Sequence, residues 1–417
     1  MFSLRARRCI LSQFFAIAWA VAAVLTLAAP AGGAQVILQT NFETDPRVAG
    51  WGNAKPTALN SWTTADSFSP THSLRVHDGL WYTPIMPLEL GSLYSVEFRG
   101  KTAGAGLWGP INDPFSEYRE GGGWQRNLKV FRDEPGFHDR RIIFNPTTTL
   151  APVFLDDVVV KKLTRAEAAT LQDEFFATMP AFTFTPPANR HLHIPQTIQK
   201  LKAGQDLKVV MLGDSIVNDT SHSYFEPLVE RKYPGSRINV TTSVRGFTGM
   251  WWYKEENRLQ SYVLDHDPDL VMIGGISHLN DIESVREVIR QIRAASPGTE
   301  LVLMSEAAGY NDPYSMPELL KPVNPTEAGW RNELYCLAVQ EDVEFLDMTR
   351  PWSQYIVDSG KPNDWFLRDP IHMNDRGSHV AGRILEAYFA PVVNPEPGAV
   401  GVLAVGAVSL LRRRKRL

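Results

Sequence analysis

The sequence predicts a three-layer α/β domain built on a parallel sheet, preceded by an all-β sandwich of the jelly-roll kind. Two observations predict it. From residue 201 onward, strand-like stretches at 208–212, 237–242, 269–274, 300–305 and 343–346 alternate with helical patterns at 223–232, 282–295, 327–339 and 375–389. Buried strands alternating with helices are the mark of a parallel sheet covered on both faces. From residue 35 to 163 the texture is different: short runs alternate apolar with polar, separated by Gly, Pro, Asn and Asp clusters, and no helical period is visible.

Composition bounds the rest. A chain of 417 residues has room for two or three domains, and 44% hydrophobic with 21% charged residues suits folded domains with cores. The net charge of −4, without a basic stripe carrying interleaved aromatics, argues against a nucleic-acid partner. The two cysteines are Cys9 and Cys336, with no Cys/His spacing for zinc. Cys9 lies in a removable leader, so one thiol remains and no internal disulfide is expected, which suits a bacterial envelope.

Residues 1–34 read as a signal peptide for the Sec translocon. Arg5, Arg7 and Arg8 are its basic start, 14–29 its apolar core, and Gly32-Gly33-Ala34 its small-residue exit. An uncleaved anchor is the rival. In 35–163 the expected strands include Val36-Ile37-Leu38, Ser73 to Val76, Tyr94 to Phe98, Arg141 to Phe144 and Phe154 to Val160. Asn41-Phe42-Glu43, Gly50-Trp51 and Leu155-Asp156-Asp157-Val158 resemble the ends of a carbohydrate-binding-type jelly roll. That resemblance implies a structural calcium between Glu43 and Asp156; as bare residues both are equally surface charges. Trp51, Trp62, Trp81, Tyr82, Trp108 and Trp124 are divided between core and faces able to stack on sugar rings.

Residues 164–200 read as a linker. Thr164 with Glu167 three residues on is a capping box, and Pro180, Pro186, Pro187 and Pro195 then break regularity.

Residues 201–392 carry the chemistry. The first strand stops at Gly213-Asp214-Ser215, at the carboxyl end where open α/β sheets place their sites. A serine there can expose its hydroxyl beside backbone N–H groups, and the plain alternative is an Asp-Ser helix cap. Far downstream, Asp369-Pro370-Ile371-His372 precedes the last helix and can present a carboxylate and an imidazole together. With both motifs in place, this region resembles the SGNH (GDSL-type) hydrolases, esterases and lipases on a flavodoxin-like sheet. The resemblance implies Ser215 as nucleophile, His372 as base and Asp369 as its partner, with no cofactor for catalysis. It also implies an oxyanion hole of the Ser215 N–H, a glycine N–H after the second strand and an asparagine side chain after the third. By the family's spacing Gly249 in Arg245-Gly246-Phe247-Thr248-Gly249 is the glycine donor, with Gly246 as turn, and the plain alternative for each is a turn glycine. The third block departs from the family: Gly274-Gly275-Ile276-Ser277-His278-Leu279-Asn280 brings its asparagine late. Three readings stay open. Asn280 reaches back through a longer loop, Ser277 or His278 replaces it, or Asn280 caps the next helix. Asn218-Asp219-Thr220 either lines the pocket mouth or caps the helix at 223, and asparagine and aspartate favour the cap. Trp251 and Trp252 either face the pocket or pack under the sheet, and His222, Asp265 and His266 read as surface or structural.

Residues 393–417 run Asn394-Pro395-Glu396-Pro397, then a small and apolar stretch to Leu411, then Arg412 to Arg416. That order resembles a PEP-CTERM sorting signal. It implies a transient membrane anchor, recognition by an exosortase and delivery to the cell surface or extracellular matrix. The apolar run is shorter than the ~20 residues a spanning helix prefers, and an ordinary anchor is the alternative.

These readings converge on an exported serine esterase removing acetyl or other acyl groups from carbohydrate. A lipase or arylesterase with the same triad is the second reading. A non-catalytic glycan-binding or matrix protein with a degenerate hydrolase domain is the third.

Overall fold

The structure, a computed structural model, describes residues 34–77, 79–102, 106–110, 117–119, 122–134, 140–146, 151–307 and 309–392. The leader and sorting-signal expectations therefore lie outside the described residues, apart from Ala34. Among the described residues no helix is long and apolar enough to cross a membrane.

The N-terminal region is antiparallel. Its strands are β1 (Gln35–Thr40), β2 (Gly52–Asn53), β3 (Ser61–Thr63), β4 (Ser73–Val76), β5 (Trp81–Tyr82), β6 (Leu93–Thr102), β7 (Gly106–Pro110), β8 (Glu117–Arg119), β9 (Gln125–Arg132), β10 (Ile143–Pro146) and β11 (Val153–Leu163). One sheet has the order β3-β4-β11-β6-β9 with β1 added on β11, and the other runs β2-β5-β10-β7-β8. Phe42, Trp51, Trp81, Tyr94, Phe98, Phe144, Leu155 and Val160 fill a shared core. Trp51 and Trp81 are thus core, whereas Trp62 and Tyr82 are half-buried. The strand expected at 141–144 forms two residues later, as β10.

β9 escaped the sequence reading because Lys129 and Arg132 interrupt its apolar pattern. Both are buried, and their counter-charges lie in the α/β region. Lys129 Nζ is 3.7 Å from Asp375, and Arg132 pairs with Glu226 as well as its neighbour Glu134. Tyr224, from the α/β region, is part of the sandwich core. Gln172 Nε2 donates to its carbonyl at 2.8 Å. The two regions meet through buried, paired charges, which need partners to be tolerated away from water.

The α/β region has a five-stranded parallel sheet ordered β13-β12-β14-β15-β16. These are β12 (Asp206–Gly213), β13 (Arg237–Val244), β14 (Leu270–Ile273), β15 (Glu300–Met304) and β16 (Glu344–Leu346). The helices are α1 (Arg165–Phe176), α2 (Pro195–Lys202), α3 (Ser215–Ser221), α4 (Glu226–Glu230), α5 (Met250–Tyr253), α6 (Arg258–Tyr262), α7 (Ile282–Ala295), α8 (Trp330–Glu341), α9 (Thr349–Ser359) and α10 (Asp375–Phe389). Strand alternation splits the core into two layers. Val209, Met211, Met272 and Val302 face α9 and α10, while Val210, Leu212, Val271 and Leu303 face α7 and α8. The strand order reverses beside β12, and the crevice of such a sheet opens there, at the carboxyl ends.

Helix expectations were met unevenly. α7 and α10 have the expected bounds. The helix expected at 223–232 is reduced to α4, and the preceding turn is α3, which already contains Asn218, Asp219 and Thr220. α2 was hidden because Pro195 reads as a breaker, although proline is favoured in a helix's first turn.

The strap between α1 and α2 is tied to α10. The His191 ring lies 2.7 Å from the Tyr388 carbonyl, and Glu344 Oε1 accepts the His191 N–H at 2.7 Å. Burial pushes the His191 imidazole down to about 4. The sign follows. His191 is neutral when folded, so its contribution is complete above the unfolded value near 6.5. It is lost as pH falls from there toward 4. Between pH 7 and 5 the fold loses about 2 kcal/mol through this ring. His191→Gln should show a smaller drop in urea midpoint over that interval than the wild type, measured by tryptophan fluorescence.

Candidate active site

Ser215 is the first residue of α3, directly after β12. Asp214 before it is extended (φ −104°, ψ −161°) and its carboxylate accepts the Ile216 N–H at 2.9 Å. The cap reading and the exposed-serine reading therefore hold together: the cap is Asp214, and Ser215 is left to face the crevice.

The other Asp214 oxygen accepts the N–H groups of Ile276 and Ser277, each at 2.7 Å. This buried carboxylate fastens the end of β12 to the loop after β14. Gly275 makes room for it: its φ is +111°, and a Cβ there would come within 2.7 Å of the carboxylate. The same loop meets the turn after β13. A Cβ on Gly249 would lie 2.1 Å from the Ser277 carbonyl, and Trp251 Nε1 donates to that carbonyl at 2.8 Å.

Ser215 and His372 are brought together across 157 positions of sequence. His372 Nε2 lies 2.8 Å from Ser215 Oγ, and His372 Nδ1 lies 2.8 Å from Asp369 Oδ2. Asp369 Oδ1 also accepts the N–H groups of Ile371 and His372, both at 2.8 Å. Burial pushes the Asp369 carboxyl up, but these N–H donors and the ring outweigh it and hold it below the usual range. A carboxylate on one ring nitrogen places the proton there and leaves the other nitrogen facing the serine as acceptor.

The loop carrying this pair is pinned to the serine's own helix. Arg368 forms a two-pronged ion pair with Asp219, at 3.0 and 3.1 Å, and Asp219 also accepts the Met373 N–H at 2.9 Å. Asp219 is fully buried. The sequence offers Asp219 as a cap or a pocket-mouth residue; its place one turn after Ser215, on the same helix face, is the local signal for this pairing.

Gly249 is the N-cap of α5, and its N–H has no acceptor among the described residues. Gly246 is an exposed turn with open space around it. Asn280 is exposed with a left-handed backbone, and its N–H donates to His278 Nδ1 at 3.1 Å. It does not cap α7; Asp281 does, accepting the Ser284 N–H at 3.0 Å. The His278 ring stacks on Trp330 at 3.8 Å, and burial pushes its imidazole below the ordinary range. Trp252 is held between Arg245 and Arg258, at 4.7 and 4.0 Å. Phe247, Leu279 and Tyr310, at 86%, 74% and 74% exposure, stand on the loops after β13, β14 and β15. His222 is buried against Asn218 and Glu134, a structural place, whereas Asp265 and His266 are exposed.

Glu43 and Asp156 lie on either side of Ser69 Oγ. Asp156 accepts the N–H groups of Phe68 and Ser69, and Glu43 those of Thr71 and His72. Ser69 Oγ also donates to the Asn41 carbonyl at 2.9 Å, so carboxylate, carbonyl and hydroxyl oxygens, the ligand type that calcium takes, gather here beside the N–H donors of a loop anchor. Among the described residues no three His, Cys, Asp or Glu gather in a metal-holding group.

Removing the Asp214 carboxylate would strand three N–H groups that it now satisfies. Asp214→Ala should destabilise the fold by roughly 2–5 kcal/mol and lower ester turnover beyond what the loss of folded protein explains. Urea melts alongside kcat measured at low denaturant would show both effects.

Residues 211–380 match the model of the GDSL-like Lipase/Acylhydrolase family. No curated protein matches the chain. Solved structures similar to it include a two-domain esterase active on acetylated mannans, crystallised with mannopentaose. Its identity is 18% and its TM-score 0.39, over 49% of this chain and 55% of that one. A Bacillus subtilis protein is similar at 14% identity and a TM-score of 0.32, over 81% of this chain and 89% of that one. A xylan-binding domain from Paenibacillus barcinonensis is similar at 11% identity and a TM-score of 0.24, over 32% of this chain and 97% of that one. This chain thus spans about 55% of the length of the mannan esterase it resembles. The similarity to the GDSL-like lipase/acylhydrolase family thus lies in the C-terminal half of the chain, where Ser215, Asp369 and His372 meet.

Proposed function

We propose that this protein is an exported serine esterase that removes acetyl or another short acyl group from carbohydrate. The observation that carries the reading is the hydrogen-bonded series Ser215 Oγ, His372 Nε2, His372 Nδ1, Asp369. His372 takes the Ser215 proton as Oγ attacks the ester carbonyl carbon. The Asp369 carboxylate steadies the imidazolium, and the tetrahedral oxyanion meets the Ser215 and Gly249 N–H groups. The intermediate collapses to acyl-Ser215, and the sugar oxygen leaves with the proton from His372. Water, deprotonated by His372, then attacks the acyl carbon and releases the acid. No metal or organic cofactor takes part in this scheme.

Asn280 is the third oxyanion donor in this reading, and it must turn inward from its exposed place to act. Losing one such donor lowers the rate by ~10²-fold or more. The exposed aromatic rings of Phe247 and Tyr310, on loops at the carboxyl ends of the strands, support a large substrate lying across the crevice mouth, as a polysaccharide would, since aromatic faces stack on sugar rings. Export through the Sec translocon, membrane anchoring by 393–417 and exosortase recognition belong to the same proposal. Their support is the pattern of the two termini.

The test is hydrolysis of p-nitrophenyl acetate, butyrate and a long-chain ester by the purified chain and by Ser215→Ala. The expected result is acetate turnover that falls at least ~10³-fold in the variant, followed by acetate release from acetylated xylan or mannan. Preference for the long-chain ester would favour the lipase reading. Equal background rates in both proteins, with no fluorophosphonate labelling of Ser215, would leave a binding protein.

A further inference from the structure

Resting on the serine esterase reading, we infer that Asp219 and Arg368 are positioning residues that set the reach of His372 to Ser215. Ser215 and Asp219 are four residues apart on α3, so they project from one face of the helix. Asp369 and His372 lie on the segment between Leu367 and Met373, and those two residues pair as an antiparallel bridge that closes it. Within the closed segment the Arg368 N–H donates to the His372 carbonyl at 3.0 Å. Arg368 also donates a side-chain hydrogen bond to the Met373 carbonyl.

Asp219 grips both ends of this segment. It takes the Arg368 guanidinium at the start, at 3.0 and 3.1 Å, and the Met373 N–H at the end, at 2.9 Å. The segment's own side is held separately. Asn374 donates to the Leu367 carbonyl and Gly309 to the Ile371 carbonyl. Those ties hold the loop's shape, while Asp219 fixes the loop to the nucleophile's helix. The 2.8 Å contact between His372 and Ser215 then follows from two rigid attachments on one helix, one turn apart.

The pairing also needs arginine. A planar fork meets both carboxylate oxygens and fixes angle as well as distance, which a lysine ammonium does not. The pair is nearly out of water, with 11% of the Arg368 side chain and none of Asp219 exposed, so solvent does not soften it. Displacement of a reacting group by about 1 Å costs on the order of 10²-fold in rate.

The experiment compares Arg368→Met, Arg368→Lys, Asp219→Asn and the double variant Asp219→Asn with Arg368→Met. Each is measured for kcat and KM on p-nitrophenyl acetate, for the rate of fluorophosphonate labelling and for thermal midpoint. The expected result is a fall in kcat and labelling rate of about 10²-fold in Arg368→Met and Asp219→Asn. KM should stay within about threefold, because substrate contacts are untouched, and Arg368→Lys should recover part of the loss. The double variant carries no buried charge, so it keeps the question open to measurement if a single variant fails to fold. It too should be slow. Wild-type kcat in the folded double variant, or in singles whose thermal midpoint alone has dropped, would overturn the inference. A wild-type chain that neither turns over ester nor labels would instead defeat the esterase reading on which it rests.

Discussion

The Asp214 carboxylate is almost wholly out of water, and three backbone N–H groups from a helix turn and a separate loop converge on it. A buried anion of this kind is tolerated only when its donors are supplied, and here the fold supplies them. Ile216 contributes from the first turn of α3, and Ile276 and Ser277 from the loop after β14. The consequence is that the ends of β12 and β14, neighbours at the point where strand order reverses, cannot move apart without exposing charge to empty space. Ser215 inherits its position from that bond. So does the Ser277 carbonyl, which then dictates a glycine at 249 and receives Trp251. A local helix cap thus organises one wall of the crevice.

The other wall is built by the same means from a distance. Asp219 and Arg368 are 149 residues apart, and their pairing seats the Asp369–His372 loop over α3. The sandwich contributes in kind. Arg132 on β9 pairs with Glu226 on α4, and Glu134 approaches His222 at the end of α3 at 3.6 Å. The helix that carries Ser215 therefore has polar ties on both sides, one to the Asp369–His372 loop and one to the sandwich. Such ties add less stability than apolar packing of the same volume would, but breaking one partner is costly, so they specify one arrangement.

What the sequence disclosed follows from range. β12, β14 and β15 were legible because a strand buried on both faces leaves an unbroken apolar run, as in Val209 to Leu212, and the edge strand β13 through its Ile, Val and Thr residues. α7 was legible in full, since its apolar stripe and Asp281 cap are local, and the capping box at Thr164 and Glu167 formed as read. Gly213-Asp214-Ser215 and Asp369 to His372 were visible as motifs, and the structure brings them into contact. Long-range pairing was not visible. β9 looked like a loop because the partners of Lys129 and Arg132 are far away in sequence. Asp219 looked like a cap because nothing near it announces Arg368. Strands of two or three residues, such as β2 and β5, carry too little pattern to read.

The third block shows how one such interaction redirects a motif. In the family pattern the asparagine follows the strand closely. Here Gly274 and Gly275 are followed by Ile276 and Ser277, whose N–H groups Asp214 captures. His278 is then drawn flat onto Trp330, and its Nδ1 accepts the Asn280 N–H. Leu279 and Asn280 are left as a left-handed, exposed tip. A bulky residue in that conformation is uncommon and strained. The loop meets that cost to keep Asp214 and Trp330 both satisfied. The late asparagine is therefore a consequence of how the loop is fastened. Any donor role for Asn280 must work against the stack and the captured N–H groups, whereas Ser215 and Gly249 carry their N–H groups on backbone already fixed.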